Sequence, residues 1–358
     1  RKSIMVERIE SESKKPSKTV VHLNGSTWLN NRKLSAVKET AKRITEWKYL
    51  LYRSKWHNAG KKFLNWVYTP KFPIHLDIEL SYACNFKCTM CPQAYDENVK
   101  GAMKYELADR LLEEAAEMGV SSIKWNWRGE ATLHKQIAQL TRKAKGLGIP
   151  EVQLNTNGNM RGCKVEDLID AGVDRIIFSV DGNTKDTFEN IRIGGDFEEL
   201  TWTIEKAVSY RESKGLSKPF IRVQMCKQKS NEHEVEGFVR KWKDIVDDVR
   251  VSAVMDRGAD GNFLIDDWVA VERAVCKQPF QRLTIGYDGK VMGCCADWFE
   301  NRPVGDANTH SLEEIWNNSI QLQDMRDAQH EGRQEKTAPC ESCWAKDAWV
   351  WRLGNGKE

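Results

Sequence analysis

Short apolar segments alternate with amphipathic segments from residue 75 to residue 254. A strand pattern occurs six times, at 75–80, 122–127, 151–155, 174–180, 219–226 and 248–254. Helical periodicity lies between these segments, at 104–118, 135–147, 164–171, 197–213 and 232–243. A repeated strand–helix unit predicts a parallel sheet with right-handed crossovers. Six units indicate an α/β fold with a partial (β/α)6 TIM-like barrel, because a complete barrel has eight units and about 250 residues.

The segments on either side of this alternation have other patterns. Residues 1–30 form a polar lead-in, and residues 33–67 carry apolar side chains at helical spacing with basic faces between them. Residues 282–294 have the pattern of a hairpin with a Gly-containing turn, and further cysteines follow. We therefore predict a basic, mainly helical N-terminal extension over 1–73, the barrel over 74–270 and a small cysteine-rich module over 271–358.

Charge is distributed unevenly along the chain. Residues 1–71 contain 17 Lys and Arg and 5 Asp and Glu, a net charge of +12, whereas the remaining residues contain 38 and 47, a net charge of −9. This asymmetry predicts an anionic partner for the basic segment, or else a solvated helical surface on the barrel. No run approaches the roughly 18 apolar residues of a transmembrane segment, and residues 1–5 lack the apolar core of a secretory signal. The sequence therefore favours a cytoplasmic protein.

The strongest chemical signal is a run of three cysteines after the first predicted strand, Cys84-Asn85-Phe86-Lys87-Cys88-Thr89-Met90-Cys91. Three thiolates at this spacing can bind three irons of a [4Fe-4S] cluster and leave the fourth iron open. The alternative is a zinc site completed by His57 or His75, although structural zinc spacings usually come as two pairs of ligands. Disulfides are disfavoured for the ten cysteines of this large chain, because the cytosol keeps thiols reduced.

This run resembles the C-x3-C-x-Φ-C motif of the radical S-adenosylmethionine (SAM) superfamily, with Met90 at the aromatic or apolar position Φ. The resemblance implies that Cys84, Cys88 and Cys91 bind a [4Fe-4S] cluster whose open iron chelates SAM. In that family, reductive cleavage of SAM yields a 5′-deoxyadenosyl radical that removes hydrogen from the substrate. The resemblance also implies a flavodoxin- or ferredoxin-type electron donor.

Short motifs after the next strands resemble SAM-binding elements of the same family. Arg128-Gly129-Glu130 is similar to Gly-Gly-Glu, with Arg128 in place of the first glycine, and Ser179-Val180-Asp181-Gly182 is similar to Ser-x-Asp-Gly. The SAM contacts implied by these and by two similar matches are Gly129, Glu130, Thr156, Asn157, Ser179, Asp181 and Arg192. Each motif alone is typical of a plain turn, but the strand-end motifs lie at successive carboxyl ends, where barrels place their active sites.

Four late cysteines give a second strong signal: Cys276, Cys294, Cys340 and Cys343. Their spacing alone allows either zinc or an all-cysteine iron–sulfur cluster. Together with Pro279-Phe280 and Asp288-Gly289, they resemble the SPASM/twitch extension of radical SAM enzymes, which binds auxiliary [4Fe-4S] clusters. The cysteines for a second auxiliary cluster are missing, so the resemblance implies the shorter twitch form with one auxiliary cluster.

A fully ligated auxiliary cluster has no open iron for substrate, so the resemblance implies that it accepts an electron from a substrate radical. Twitch-bearing dehydrogenases of aminoglycoside and cyclitol biosynthesis have this organisation, and we expect oxidation of a sugar, a cyclitol or a similar small molecule. Redox-neutral epimerisation is the alternative, in which a thiol returns hydrogen. Cys226 and Cys295 are the candidate thiols. Cys226 also suits a buried apolar position, and Cys295 is the alternative to Cys294 as a cluster ligand.

Two other classes of protein remain open. A peptide-modifying SPASM maturase is disfavoured by the missing cysteines and by an N-terminal segment that is predicted to be helical. A zinc-binding scaffold or nucleic-acid-binding protein would explain the basic N-terminus and the late cysteines, but not the early run or the strand-end motifs. Candidate substrate contacts near the strand ends are Trp125, Trp127, Asp181, Arg222, Gln224 and Asp297.

Overall fold

The computed structural model describes residues 20–23, 26–28, 47–63, 66–96, 101–253 and 276–341. The strands are β1 (Val20–Leu23), β2 (Ser26–Trp28), β3 (Lys62–Phe63), β4 (Trp66–Val67), β5 (His75–Ile78), β6 (Lys87–Cys88), β7 (Ser122–Trp125), β8 (Glu151–Thr156), β9 (Arg175–Ser179), β10 (Arg192–Ile193), β11 (Phe220–Lys227), β12 (Asp248–Ala253), β13 (Arg282–Ile285), β14 (Lys290–Met292) and β15 (Pro303–Asp306). The helices are α1 (Trp47–Asn58), α2 (Tyr105–Glu117), α3 (Ile137–Gly146), α4 (Val165–Asp170), α5 (Lys185–Ile191), α6 (Phe197–Ser213), α7 (Val235–Trp242), α8 (Leu312–Asn318) and α9 (Ile320–Glu331).

The central sheet confirms the predicted barrel. Strands β5, β7, β8, β9, β11 and β12 are neighbours in this order, and every pair between them is parallel. Helices lie between successive strands along the chain, as the alternation predicts. The fold is therefore a partial (β/α)6 barrel, and the carboxyl ends of its strands meet at one face.

Local sequence signals determine where several helices begin and end. Asp196 caps α6, because its carboxylate accepts from the backbone N–H groups of Glu198 and Glu199. Ser311 and Glu314 form a capping box at the start of α8. Helix α9 ends at Gly332, whose φ of 72° lies in the left-handed region that favours glycine.

Both edges of the barrel sheet are extended by further strands. Strand β13 pairs in parallel with β5, and β14 and β15 continue the sheet in antiparallel order. The predicted hairpin at 282–294 is therefore confirmed, and it connects the cysteine-rich module directly to the barrel. At the opposite edge, β1 pairs in parallel with β12 and antiparallel with β2.

The described parts of the N-terminal extension differ from the prediction. Residues 20–28 contain the strands β1 and β2 where we predicted a polar lead-in, because the pairing of β1 with β12 depends on residues far along the chain. The predicted helix over 33–67 is α1, and the hairpin of β3 and β4 follows it after Gly60, whose φ is 73°. Residues 29–46 lie outside the described residues. No helix in the described segments has the length and apolar composition that a bilayer crossing requires.

The barrel strands carry apolar and polar side chains in alternation. The apolar members pack with the helices in one buried core and include Leu76, Ile123, Leu154, Phe178, Val223 and Val251. The alternate positions face the barrel interior, because successive side chains point to opposite faces of a strand. These positions, which we call the polar interior, are mostly charged or polar and include Asp77, Lys124, Gln153, Asn155, Arg175, Arg222, Gln224, Asp248 and Arg282, with Ile177 as an apolar exception. TIM barrels more often fill this space with branched apolar residues.

Candidate active site at the carboxyl ends of the strands

The early cysteine loop, residues 84–91, follows β5 at the carboxyl face of the barrel. The Phe86 N–H donates to Cys84 Sγ at 3.4 Å, and the Cys91 N–H donates to the Cys88 carbonyl at 3.0 Å. Strand β6 lies within this loop and pairs with β10, which places Arg192 opposite Cys88. Cys88 is buried and the other two cysteines are half-buried. The loop therefore gathers the three thiols beside the strand ends.

The properties of these thiols fit an iron–sulfur cluster. The pKa of the Cys84 thiol is raised to about 12 and that of the Cys88 thiol to about 11, mainly by burial; the neighbouring thiols act in the same direction, and Arg192 lowers the pKa of Cys88. A thiolate at this site therefore needs the positive charge of bound metal. Met90 of the same loop is half-buried against the core.

The zinc alternative finds little support in the position of His75. His75 begins β5, at the end of the strand opposite the early cysteine loop, and its Nε2 lies 3.4 Å from Asp77 Oδ1. Within the described residues, no three His, Cys, Asp or Glu side chains converge on a single metal ion. A [4Fe-4S] cluster needs no such convergence, because each cysteine binds a different iron.

The turn after β7 lies directly against the start of the early cysteine loop. Gly129 has a φ of 63°, and a Cβ atom at this position would lie 2.1 Å from the Ser81 carbonyl oxygen. Only glycine fits here, because any side chain meets both backbone strain and a clash. The Glu130 N–H donates to the Ala83 carbonyl at 2.9 Å. This contact holds the Gly129-Glu130 turn beside the loop that carries the thiols.

Glu130 organises the turn after β8. Its Oε1 accepts from the hydroxyl groups of Thr132 at 2.8 Å and Thr156 at 2.9 Å, and its Oε2 accepts from the Asn157 N–H at 2.8 Å. The Asn157 amide in turn donates to Asn85 Oδ1 at 2.8 Å. Burial raises the pKa of Glu130, while these hydrogen bonds favour its charged form. The structure thus brings Glu130, Thr156 and Asn157 together and connects them to the early cysteine loop through Asn85.

Asp181 and Arg192 form a buried pair next to Cys88. The Arg192 Nε and Nη2 atoms lie 2.9 and 2.6 Å from Asp181 Oδ2, and Arg192 Nη1 donates to Cys88 Sγ at 3.7 Å. Asp181 Oδ1 accepts from the Cys226 N–H at 2.7 Å. Asp181 is fully buried, and its ion pair with Arg192 fixes the orientation of the guanidinium group. Ser179 is half-buried at the end of β9, in register with Gln224.

The late cysteine group comprises Cys276, Cys294, Cys295 and Cys340; Cys343 lies outside the described residues. Gln329 accepts from the Cys276 N–H at 3.1 Å and donates to Cys340 Sγ at 3.5 Å, which brings these two cysteines together. A hydrogen bond with Cys295, then burial, and then the charges of Cys295 and Cys276 raise the pKa of Cys294. Several half-buried thiols on neighbouring segments are a donor set that fits an auxiliary cluster.

Arg128 joins the two cysteine regions, and we call Glu79, Arg128 and Glu300 the Arg128 joint. Arg128 donates to both carboxylate oxygens of Glu79, at 2.8 and 2.9 Å, and lies 2.6 Å from Glu300 Oε1. Its guanidinium stacks 3.9 Å from the ring centre of Trp127, whose indole N–H donates to the Cys295 carbonyl at 2.9 Å. The residue that departs from the Gly-Gly-Glu pattern thus connects the barrel with the late cysteine group.

Other sequence-predicted contacts lie in structural positions. Trp125 is buried on the helix side of β7, where its indole N–H donates to Thr141 at 2.9 Å. Asp297 accepts from the N–H groups of Asn301 and Arg302, both at 2.9 Å, and so closes its own loop. Arg222 pairs with Asp248 in the polar interior.

Sequence reasoning missed the polar interior as a whole. The signal was present, since the strand segment 75–79 reads His-Leu-Asp-Ile-Glu and the segment 151–155 reads Glu-Val-Gln-Leu-Asn. Such alternation predicts that one strand face is polar. Which face points inward becomes clear only when the helices cover the apolar side.

Two family models match the chain. The model of the radical SAM superfamily matches residues 78–217, and the model of the SPASM iron–sulfur cluster-binding domain matches residues 276–344. The first match contains the early cysteine loop and the motifs that follow β7, β8 and β9. The second contains the late cysteine group and Cys343.

Curated relatives match only part of their own length. The tungsten-containing aldehyde ferredoxin oxidoreductase cofactor-modifying protein of Pyrococcus furiosus is 29% identical over 172 residues, which cover 46% of this chain and 47% of that protein. The GTP 3′,8-cyclase of Desulforamulus reducens is 28% identical over 204 residues, 55% of this chain and 60% of the relative. The chain thus spans about half to three-fifths of these two relatives.

Solved structures share the fold. SuiB of Streptococcus suis bound to S-adenosylmethionine has a TM-score of 0.61 at 16% identity, covering 78% of this chain and 72% of that chain. BtrN in complex with AdoMet and 2-DOIA has a TM-score of 0.53 at 16% identity, covering 76% of this chain and 93% of that chain. At such identities the likeness concerns the fold alone.

Proposed function

We propose, from the premise that this chain belongs to the radical SAM superfamily and carries a SPASM domain, that it oxidises a small polyhydroxylated molecule bound in the barrel. SAM and [4Fe-4S] clusters, including an auxiliary cluster, are the cofactors of this family architecture. Cys84, Cys88 and Cys91 would hold the SAM-binding cluster. Cys276, Cys294, Cys340 and Cys343 would hold the auxiliary cluster.

The proposed reaction is the dehydrogenation of an alcohol to a ketone. When bound, these cofactors would supply a 5′-deoxyadenosyl radical to take one hydrogen atom from the substrate and an auxiliary cluster to accept one electron, while the hydroxyl proton would pass to water. The chain's own part is to place a single C–H bond near the SAM site and to exclude competing water.

The polar interior is the observation that supports this substrate class. Its side chains are amides, carboxylates and guanidinium groups on neighbouring strands, such as Gln153, Asn155, Arg222 and Gln224. Such groups bind hydroxyl-rich molecules through hydrogen bonds and would be costly to bury without partners. Arg222 and Gln153 already have protein partners, whereas Asn155 Oδ1 has none within the described residues and is left for a substrate hydroxyl group.

Residues near the early cysteine loop are proposed to bind and orient SAM. Arg192 presents a planar fork of donors that suits the SAM carboxylate, and Asp181 fixes its orientation. The Gly129 backbone and Ser179 lie at the strand ends where the SAM amino group and ribose are expected. Glu130 uses its carboxylate to hold Thr156 and Asn157, so we assign it mainly a positioning role.

Epimerisation is the second outcome for the same site. Cys226 lies in phase with Arg222 and Gln224 on β11 and thus faces the polar interior, and its backbone is fixed by Asp181 and Asn231. A thiol in this position is suited to return hydrogen to a substrate radical. Cys295 lies between Cys294 and Trp127 and is the other candidate thiol.

A peptide substrate is the alternative, and one argument against it has weakened. The sequence predicted a helical N-terminal extension, unlike the strand-and-helix segment that binds the peptide in maturases. The described part of the extension contains strands as well as a helix, so this difference is gone. SuiB was also solved with its precursor peptide SuiA, with a TM-score of 0.58 and 16% identity to this chain. The strands β1 and β2, however, extend the barrel sheet at its edge.

The test combines metal analysis with product analysis. Wild-type protein reconstituted without oxygen should contain about eight irons per chain, and a Cys84→Ala/Cys88→Ala/Cys91→Ala variant about four, because each cubane holds four irons. With SAM, a reductant and a panel of amino sugars and cyclitols, one member should stimulate 5′-deoxyadenosine formation in the wild type only. Its product should be lighter by two hydrogen atoms.

Other outcomes separate the alternatives. A product of unchanged formula that takes up deuterium from heavy water would establish epimerisation. Stimulation by peptides alone would establish the maturase function. Absence of 5′-deoxyadenosine under every condition would refute radical SAM chemistry. Omitting the chemical reductant and adding flavodoxin or ferredoxin tests the proposed electron donor. Removing residues 1–19, which carry six Lys and Arg and three Glu, tests whether an anionic partner needs this first part of the basic segment 1–71.

A further inference from the structure

Lys124 is a cation in the polar interior that has no carboxylate partner. It lies on β7 opposite Asp77 of β5 and Gln153 of β8, at a position that faces inward. In the described part of the chain, no carboxylate lies within ion-pair distance, 4.0 Å, of its ammonium group. Burial lowers the pKa of Lys124 to about 8, while the charge of Asp77 opposes this shift. The ammonium group is therefore charged at neutral pH but has lost much of its hydration.

The nearby arginines differ from Lys124, because each is matched to a carboxylate. Arg282 Nη1 lies 3.0 Å from Asp77 Oδ2, and Arg175 Nε lies 3.6 Å from Glu151 Oε1. Arg222 contacts Asp248. These pairs use the interior carboxylates, so Lys124 forms no ion pair within the described residues and is only partly balanced by the charge of Asp77 on the strand beside it.

Buried polar atoms without a hydrogen-bond partner lie at inward-facing positions of nearby strands: Asn155 is on β8, the neighbour of β7, and Thr284 is on β13, in register with Asp77, which lies between it and Lys124. Within the described structure these include Asn155 Oδ1, Arg282 Nε and Thr284 Oγ1, on strands β8 and β13. A buried polar atom without a partner is costly, so several together indicate a binding site for water or a ligand. The charge of Cys295 raises the pKa of both Lys124 and Arg282. This part of the polar interior therefore lies near the late cysteine group.

We propose that Lys124 binds an anionic group of the substrate, a carboxylate or a phosphate, in the polar interior on the side of Asn155. This inference rests on the proposed function in that the anion belongs to the molecule that is oxidised there. It narrows the substrate class to a polyhydroxylated acid or a phosphate ester. A charged hydrogen bond to a desolvated ammonium group gives affinity and also fixes the orientation of the ligand.

The experiment measures anion binding and needs no turnover. Inorganic phosphate and, separately, acetate are titrated into the oxygen-free reconstituted protein at constant ionic strength, and binding is measured by calorimetry. We expect the wild type to bind one of the two anions, and Lys124→Met to raise its dissociation constant roughly ten- to a hundredfold, the effect of losing one charged hydrogen bond. Lys124→Arg keeps the charge and should restore most of the affinity.

Lys206→Met is the matched control, because Lys206 is an exposed lysine on α6 that pairs with Glu166 at 3.3 Å. It should bind the anion as the wild type does. Preference for phosphate would identify a phosphate ester, and preference for acetate would identify an acid. Failure of both anions to bind, or equal binding by the Lys124→Met variant, would overturn the inference. Loss of SAM affinity without loss of anion affinity would instead assign Lys124 to SAM.

The outcome is distinguishable from failure of the proposed function. If the wild type forms no 5′-deoxyadenosine but binds phosphate through Lys124, the anion site stands and the reaction is refuted. If it oxidises a neutral sugar while Lys124→Met has no effect on anion binding, the reaction stands and the anion site is refuted. Circular dichroism of both Lys124 variants shows whether they fold.

Discussion

The two cysteine regions are built in different ways. The early cysteine loop carries its three thiols within eight residues, and turns after β7, β8 and β9 support it from one side. The late cysteine group draws on segments as far apart as residues 276 and 340, and it is held together by Gln329 and by the strands β13 to β15. A site within one loop depends on its own backbone, whereas a site assembled from distant segments depends on how the module is attached to the barrel.

The largest effect is expected where the two regions meet. Arg128→Met leaves the fully buried carboxylate of Glu79 without its ion-pair partner and next to the negative charge of Glu300, which keeps only its surface pair with Lys290. We expect a loss of about 3–5 kcal/mol in the free energy of unfolding, the typical cost of breaking a buried ion pair. The iron of the auxiliary cluster should be lost before that of the SAM-binding cluster. Chemical denaturation and iron analysis after gentle dialysis measure the two effects.

Arg161→Met is the control for this change. Arg161 pairs with Glu199 at 2.9 Å on the surface, where an ion pair contributes little, so stability should change by less than about 1 kcal/mol. Replacing Glu79 by Gln in the Arg128→Met background should recover part of the loss, because it removes one unpaired charge. If Arg128→Met is as stable as the wild type, the Arg128 joint does not attach the module.

The next largest effect concerns the early loop. Gly129→Ala introduces a Cβ atom 2.1 Å from the Ser81 carbonyl oxygen and forces a residue with a φ of 63° out of its preferred region. We expect a loss of about 2–4 kcal/mol and poor incorporation of the SAM-binding cluster, while the auxiliary cluster is retained. Gly148→Ala is a close match with a φ of 82° and nothing within 4 Å of the added atom, so it should lose only about 1–2 kcal/mol.

The contrast between local and distant contacts also explains which features could be predicted from the sequence. The early cysteine loop, the strand-end motifs and the six strands were predictable, because each depends on residues within about one strand–helix unit. The role of Arg128 was not, because Glu300 lies 172 residues further along the chain. The strand β1 was missed for the same reason. The motif around Asp181 also could not show that its carboxylate pairs with Arg192.

A smaller effect is expected within the late cysteine group. Gln329→Leu keeps the volume but removes the side-chain acceptor of the Cys276 N–H and the amide that donates to Cys340 Sγ. We expect a loss of about 1–3 kcal/mol, the cost of an unsatisfied buried group, and faster release of auxiliary iron to a chelator. Gln323→Leu, on the same helix but exposed, should release iron at the wild-type rate. Equal rates in all three proteins would show that Gln329 does not support the group.

The smallest loss of stability is expected for Arg192→Lys, a conservative change next to the early cysteine loop. Arg192→Lys keeps a charge for Asp181, but a single ammonium group cannot also donate to Cys88 Sγ as Arg192 Nη1 does at 3.7 Å. Hydrogen bonds to cluster sulfurs raise the reduction potential, so the SAM-binding cluster should become harder to reduce, with about 1–2 kcal/mol lost in stability. Redox titration followed by electron paramagnetic resonance measures this midpoint. Arg211→Lys, whose guanidinium contacts Asp247 far from the cysteines, should leave the potential unchanged. An unchanged midpoint in Arg192→Lys would mean that Arg192 acts on SAM alone, and then only the affinity for SAM should fall.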